Sequence, residues 1–432
     1  MTPEQAFAEA MKFENRPNPY PLFDEMRKTP VARVAHGIYV VTGYKEIIAL
    51  AHDPRVSSDL RNSSVAARMR AGDGSAASSD MDPTTAEMLD KYGGDNMMIL
   101  SDPPDHSRMR RQAMRHFGPP HCPDLIPSME EYCVRIVNDL LDKLKGKHRF
   151  DVVDDYAYPL PVAVICKILG VPLEDEKQFH IWIAEFLGGM DLGPEAATEE
   201  GKRRQAKGIE SRTALTQYLI GLVERAERGG GEGMIAELVH DTGPDGRMSS
   251  SEILKNCILL LVAGHDSTVN LLTHCVLTLL RNPGSIDRLR QRPELIPRAI
   301  EEVLRLESSV QFFPSRSALS DIEIAGTTIP KGAPIFLMYS AGNRDPAQFA
   351  DPNTFSLERS EKETLGWGAS IHVCFGGPLA RLEVNVGLET FLRRVRSPKL
   401  VVDPPPYRPS QIFRGPLHCE IDIDGIEDRA AS

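Results

Sequence analysis

Long hydrophobic runs are missing from this chain of 432 residues, the longest being Cys257 to Gly264. A bilayer span needs about 20 apolar residues, so no membrane-spanning helix is expected. The amino terminus, Met1 to Phe13, mixes acids with apolar residues and lacks the basic stretch of a secretory leader, which points to a soluble cytoplasmic protein without a membrane partner. Cysteine is sparse and scattered: the seven residues at 122, 133, 166, 257, 275, 374 and 419 include no Cys-x-x-Cys pair. That spacing excludes a disulfide framework, a zinc finger and a fused ferredoxin domain. Positive charge is also short, with 50 Lys plus Arg against 61 Asp plus Glu, and the net charge of -11 repels a polyphosphate backbone unless a basic face is set apart. Nucleic acid is therefore not an expected partner.

What remains is a chain with 41% hydrophobic residues, enough for a large core. By length alone two or three domains are allowed. No internal repeat or linker is visible, however, and the expected organisation is a single domain over 1–432, mainly α with a small antiparallel β-sheet region, and no fused reductase. Val31 to Thr42 alternates β-branched residues around Gly37 and reads as a hairpin. Ser57 to Ser101 is rich in Ser, Ala, Gly, Asp and Met without a period, as a lid, a binding loop or disorder would be. Leucine spacing predicts amphipathic helices over Met129 to Leu144 and Ser211 to Glu227. Ser249 to Glu252 forms a capping box ahead of an apolar stretch that stops at Asn282-Pro283. A helix of about thirty residues, roughly 45 Å long, follows, and it is apolar enough to run through the middle of the molecule. Past Arg305, short β-like runs at Phe312 to Ala318, Ile322 to Ile324, Thr327 to Ile329 and Ile335 to Tyr339 suggest the small sheet.

Three constellations could carry chemistry. Ala263-Gly264-His265-Asp266-Ser267-Thr268 is a polar island in the long apolar helix. It fits a kink at which hydroxyls bond back to carbonyls one turn earlier, and equally a groove over which a ligand lies, with a carboxylate and a hydroxyl placed to pass protons. Glu302 and Arg305 share a helix face and can pair. The third is Trp367-Gly-Ala-Ser-Ile-His-Val-Cys374-Phe-Gly376-Gly377-Pro378, a cysteine on a glycine-rich loop leading into a helix. An inert buried cysteine is the plain alternative, but bare backbone at Gly376 and Gly377 and a helix N-terminus favour a thiolate. His106 and Arg110, one turn apart, together with Arg316 and His372, supply cationic or donor groups. Around one thiolate, such groups would suit an anionic cofactor carrying two carboxylates.

In this order the motifs resemble the cytochrome P450 superfamily in its soluble bacterial form, from about Asn18 to Asp424. Ala263 to Thr268 is similar to the family's Ala/Gly-Gly-x-Asp/Glu-Thr-Thr on the central helix. Glu302 and Arg305 match its Glu-x-x-Arg, with Arg359 as the downstream arginine that locks to them. The loop from Trp367 to Gly376 matches Phe-Gly-x-Gly-x-His-x-Cys-x-Gly with two departures, Trp367 for Phe and Ser370 for the second Gly.

The resemblance implies the cytochrome P450 fold, a triangular helical prism with haem b held between the central helix and the cysteine-loop helix. It makes Cys374 the axial thiolate ligand, gives His106, Arg110, Arg316 and His372 the haem propionates, and places Ala263, Gly264 and Gly376 against the cofactor. Asp266 becomes the proton relay and Ser267 the alcohol that hydrogen-bonds to the oxygen being reduced, with Thr268 at a second, less critical position. Substrate contacts are expected from Met97, Met98, Leu100, Phe186, Leu260, Ala263, Phe312, Phe313, Ile412 and Phe413. The implied reaction is O2-dependent monooxygenation of a hydrophobic molecule such as a terpenoid, steroid, fatty acid or macrolide. Electrons come from a ferredoxin and a ferredoxin reductase, for which Arg108, Arg111 and Arg115 offer a basic patch unless they are simply a solvated helix face, and the enzyme is expected to be a monomer. A peroxide-using peroxygenase or a non-catalytic haem sensor are the rivals, and Asp266 with Ser267 speaks against both.

Overall fold

The structure, a computed structural model, describes residues 1–63, 97–119, 121–189, 197–360 and 363–429. The expected lid, binding loop or disorder within Ser57 to Ser101 lies, over residues 64–96, outside the described residues. A helix of 32 residues, Ser250–Arg281, organises the rest. It begins where the capping box places it: Glu252 N donates to Ser249 Oγ at 3.1 Å, and Ser249 N donates to the Glu252 carboxylate at 2.9 Å. It ends one residue before Asn282-Pro283, since proline cannot supply the next helical hydrogen bond. Leu254, Cys257, Leu261, Val269, Leu272 and Cys275 are buried on several sides of it. Helices Pro159–Leu169, Glu199–Glu227, Ile296–Leu306 and Gly377–Arg394 all pack against it, which makes it the central helix.

The periodicity over Met129 to Leu144 belongs to helix Leu125–Lys143, while that over Ser211 to Glu227 is the second half of a longer helix, Glu199–Glu227. Its first half crosses helix Glu176–Gly188 closely. A Cβ on Gly208 would stand 2.9 Å from Glu185 O and 3.0 Å from Gly189 Cα, so small residues, not apolar ones, make that contact.

The expected hairpin forms as Val31–Arg33 against Tyr39–Val41. It is the edge of a five-stranded sheet ordered Val31–Arg33, Tyr39–Val41, Pro334–Leu337, Phe313–Ala318, Val56–Ser57. The sheet is antiparallel apart from one parallel pair, Tyr39–Val41 with Pro334–Leu337, in the register Val40 opposite Phe336. Ile322–Ile324 and Thr327–Ile329 make a separate two-stranded hairpin. The main hydrophobic core surrounds the central helix, and two smaller clusters sit under the sheet and the amino-terminal helices. Among the described residues no helix is long and apolar enough to cross a membrane.

Candidate functional site

Cys374 ends a loop whose shape is set by hydrogen bonds within it. Cys374 N donates to Trp367 O at 2.7 Å, and Val373 N donates to Ser370 O at 3.1 Å. The loop then enters helix Gly377–Arg394. A Cβ on Gly376 would lie 3.8 Å from Cys374 Sγ, and one on Gly377 would lie 3.4 Å from the Trp367 ring, so the glycines leave the sulfur beside open backbone. Cys374 keeps exposed surface. Even so, the protein around it pushes the thiol above its ordinary value; the Gly376 and Gly377 amides and the Arg110 and Arg381 charges pull the other way without overcoming burial. The helix terminus and the neighbouring charges therefore do not bring the thiol below its ordinary value.

The two departures in this loop have distinct consequences. Trp367 uses what phenylalanine lacks: its Nε1 donates to Glu301 at 2.9 Å, Arg381 Nε donates to the other Glu301 oxygen at 2.6 Å, and the Arg381 guanidinium lies 4.3 Å from the indole. Ser370 stands at φ 60°, in the left-handed region where a glycine carries no penalty.

Beside the loop the fold gathers His106, Arg110, Arg316 and His372 from three segments. The His106 and His372 rings are 4.4 Å apart by centroid. Arg110 donates to Val373 O at 2.7 Å, and Ser58 Oγ lies 2.7 Å from His372 Nε2. Burial first, then the neighbouring arginines, lowers His106 to about 4, and burial with Arg316, His106 and Arg110 lowers His372 to about 2. Burial also lowers Arg110 and Arg316. His106 is 2% exposed and its Nδ1 finds no partner among the described residues. Two arginines held in a largely enclosed place beside two neutral imidazoles that can donate hydrogen bonds, with Asp102 as the opposing acid, fit a dianionic group, and the neighbouring sulfur fits its metal.

The central helix turns a notch toward solvent-accessible space: Ala263 is exposed, and Gly264 and Ser267 are half-buried, in a helix that is otherwise largely enclosed. Ser267 Oγ donates to Ala263 O at 2.9 Å, the back-bond expected of a hydroxyl in a helix, and the helix runs on without a break. Gly264 serves a close crossing, since a Cβ there would meet Ile165 at 3.3 Å. His265 is buried edge-on to Tyr158 with centroids 4.9 Å apart, and Thr268 is buried. Asp266 is buried as well, bonded to Arg408 and to Asn270 Nδ2 at 3.2 Å.

Glu302, Arg305 and Arg359 meet in one ion-pair set. Arg305 donates to both Glu302 oxygens at 2.9 Å, and Arg359 Nε donates to the same carboxylate at 2.9 and 3.0 Å. Both arginines also bind backbone carbonyls between Asn343 and Thr354, which staples that segment to helix Ile296–Leu306.

Comparison with known proteins decides the family. The family model described as Cytochrome P450 matches residues 232–421. The biotin biosynthesis cytochrome P450 of Bacillus subtilis is 34% identical over 403 residues, covering 92% of this chain and 94% of that protein. The 6-deoxyerythronolide B hydroxylase of Saccharopolyspora erythraea is 31% identical over 415 residues, covering 94% and 96%. The ligand-free structure of Mycobacterium smegmatis CYP164A2 superposes with a TM-score of 0.83 at 30% identity, covering 97% of this chain and 100% of that one. The chain belongs to the cytochrome P450 family. It has the cytochrome P450 fold and is an oxidoreductase, and membership carries haem–thiolate binding with it.

Within this cytochrome P450 the residues expected to line the substrate site are placed in different surroundings. Phe312 is fully buried and stacks on Phe336, with centroids 5.3 Å apart, inside the cluster under the amino-terminal helices. It lies one residue before strand Phe313–Ala318 and is enclosed by that cluster. Ile412 is buried in the same cluster, and Phe413 is half-buried between it and the main core. Phe313 is half-buried under the Arg316 guanidinium, 4.9 Å from its ring. Met97, Leu100 and Phe186 are half-buried, whereas Met98 and Leu260 are buried and Met98 N donates to Asn256 Oδ1 at 3.0 Å. The basic patch also changes character: Arg108 pairs with Glu252, Arg111 with Asp245, and Arg115 with Asp241 and Asp245. Sequence reasoning missed Glu301, Arg381, Asn270 and Arg408. Arg408 sits in a proline-rich carboxy-terminal stretch with no period, so only the fold reveals its partner.

Proposed function

We propose that this cytochrome P450 is a haem-thiolate monooxygenase that binds haem b through Cys374 and inserts one oxygen atom of O2 into a hydrophobic small molecule. The balance is RH + O2 + 2 electrons + 2 protons giving ROH + H2O, with the electrons from a reduced ferredoxin. The observation that carries the reading is the cluster of His106, Arg110, Arg316 and His372 beside Cys374, two guanidinium charges and two imidazole donors that suit an anionic cofactor next to a sulfur ligand. When bound, a haem with a thiolate ligand supplies activation of O2 once protons reach it. The four basic groups would take the propionates, and the Gly376 and Gly377 amides would steady the sulfur. Ser267, on the open notch, would donate its hydroxyl proton toward the reacting oxygen, and Asp266 next to it would replenish that proton. This acid and alcohol pair favours the monooxygenase over a peroxygenase or a sensor, neither of which needs a proton supply.

Outside the loop, a concavity of ≈ 370 Å³ is lined by Arg110, Arg111, His121, Ile371 and Val373. Ile371 and Val373 are exposed and Arg111 is paired with Asp245, so the surface nearest Cys374 is mainly apolar with Arg110 at its edge, suited to a small electron carrier that docks chiefly by apolar contact. A fatty acid or a macrolide-sized ring fits the reading, as does a soluble cytoplasmic monomer. The test is the absorption spectrum of the reduced, carbon-monoxide-bound protein. A strongly red-shifted Soret band is expected in the wild type and not in Cys374→His. A band that survives the substitution overturns the assignment.

A further inference from the structure

Asp266 and Ser267 are neighbours in sequence but their polar atoms face different sides of the central helix. Ser267 lies on the open notch. The Asp266 carboxylate is turned away, bonded through one oxygen to Arg408 and through the other to Asn270, and it is 3% exposed. A carboxylate held at both oxygens cannot rotate toward the notch until one holder lets go.

Both holders belong to, or lie under, a single carboxy-terminal loop. Arg408 N donates to Gly415 O at 3.1 Å, Arg408 Nε donates to Pro416 O at 3.3 Å, and Tyr407 bridges Pro416, which closes residues 407–416 into a hairpin. The loop backbone rests on Asn270: a Cβ added to Gly415 would stand 2.0 Å from Asn270 Oδ1. Near its tip the loop carries Ile412 and Phe413, and it is tied to the segment before strand Phe313–Ala318 by Gln311 N donating to Ile412 O at 2.8 Å and by Arg414 N donating to Ser309 O at 2.8 Å. A displacement of the loop therefore moves Arg408 relative to a helix that is itself fixed by packing.

We propose that Arg408 is a positioning residue that holds the Asp266 side chain away from the notch, so that the place of the 407–416 loop controls when the acid can serve Ser267. The proposal rests on the reading of Asp266 as the proton relay. Displacement of the loop loosens Arg408 from Asp266 and so links the position of the loop to the supply of protons. No other change at the cofactor is required.

The test uses the haem-loaded, substrate-free enzyme with a surrogate ferredoxin and its reductase, in which O2, two electrons and two protons leave as hydrogen peroxide, or four of each as two waters. The rate of electron consumption and its solvent deuterium isotope effect are measured in wild type, Arg408→Gln, Asp266→Asn and the double variant. Amide hydrogen exchange over 407–416 is followed alongside. Arg408→Gln is expected to consume electrons at least about threefold faster and to exchange faster in the loop; Arg408→Lys restores both; and the double variant is as slow as Asp266→Asn, because the gain requires the acid. If Arg408→Gln is accelerated and the double variant is accelerated equally, with the same isotope effect, the freed acid is not used and the relay reading is overturned. If Arg408→Gln is not accelerated, the relay reading is untouched and the role of Arg408 is overturned. Should Arg408→Gln fail to fold, the exchange measurement on Asp266→Asn decides: an unchanged loop overturns the coupling.

Discussion

At Ser370 a side chain occupies a backbone position that suits glycine. Its φ of 60° brings Cβ toward the following carbonyl, a cost of about 1–2 kcal/mol for most residues. Ser370→Gly is therefore expected to raise the stability of the purified protein by about 1 kcal/mol, read as a shift of the denaturant midpoint at constant slope. A lowered midpoint would mean that the serine side chain makes a contact worth more than the strain. The residues that sequence motifs identify are those whose chemistry is rare in its setting, such as Cys374 among glycines or Asp266 in an apolar helix. Glu301 and Arg408 carry no such mark. Each is an ordinary charged residue whose meaning comes from a partner 66 or 142 positions away.

Among the elements, the central helix was legible because its cap, its apolar length and its terminating proline all act locally. The sheet was legible as a set of short strands but not in its order, since pairing Tyr39–Val41 with Pro334–Leu337 joins residues from opposite ends of the chain. The same distance explains Phe312: alternation shows that a strand has two faces and not which core covers each. The central helix also carries His274, fully buried and lowered from an ordinary 6.5 to about 3, first by burial and then by Arg414. Between those values the unfolded chain binds a proton that the folded one refuses, so stability is complete above about pH 6.5 and is lost as pH falls toward 3. Glu307, which burial would raise, is lowered to about 2 by Arg414 and Arg344, and it adds a second loss that starts near its ordinary value of 4.5. Urea midpoints are expected to fall between pH 7.5 and 5.5 in the wild type and to fall less in His274→Gln. His106, lowered to about 4, leaves the variant part of the slope. An unchanged slope in His274→Gln would assign the acid loss elsewhere.

For the molecule as a whole, net charge misleads in both directions. The chain carries -11 overall, and its local run of arginines at 108, 111 and 115 reads as a docking patch. In the fold Glu252, Asp241 and Asp245 neutralise all three. Exposed paired charges steer a partner weakly, so the rate of reduction by a ferredoxin should fall by only about threefold between low and physiological salt. Asp245→Asn, which frees Arg111 and in part Arg115, should steepen that dependence in stopped-flow reduction; a steep wild-type dependence unaffected by the substitution would place docking on another face. The amino-acid sequence by itself determined the family, the central helix, the cysteine loop and the Glu302, Arg305 and Arg359 set, because short-range motifs in a definite order are written along the chain. Only the tertiary structure decided that Phe312 belongs to a core, that the basic patch is spent on internal ion pairs, and that Asp266 is held by Arg408. Those are contacts between remote segments, and their energies exist only after the chain has paid the entropy of bringing the segments together.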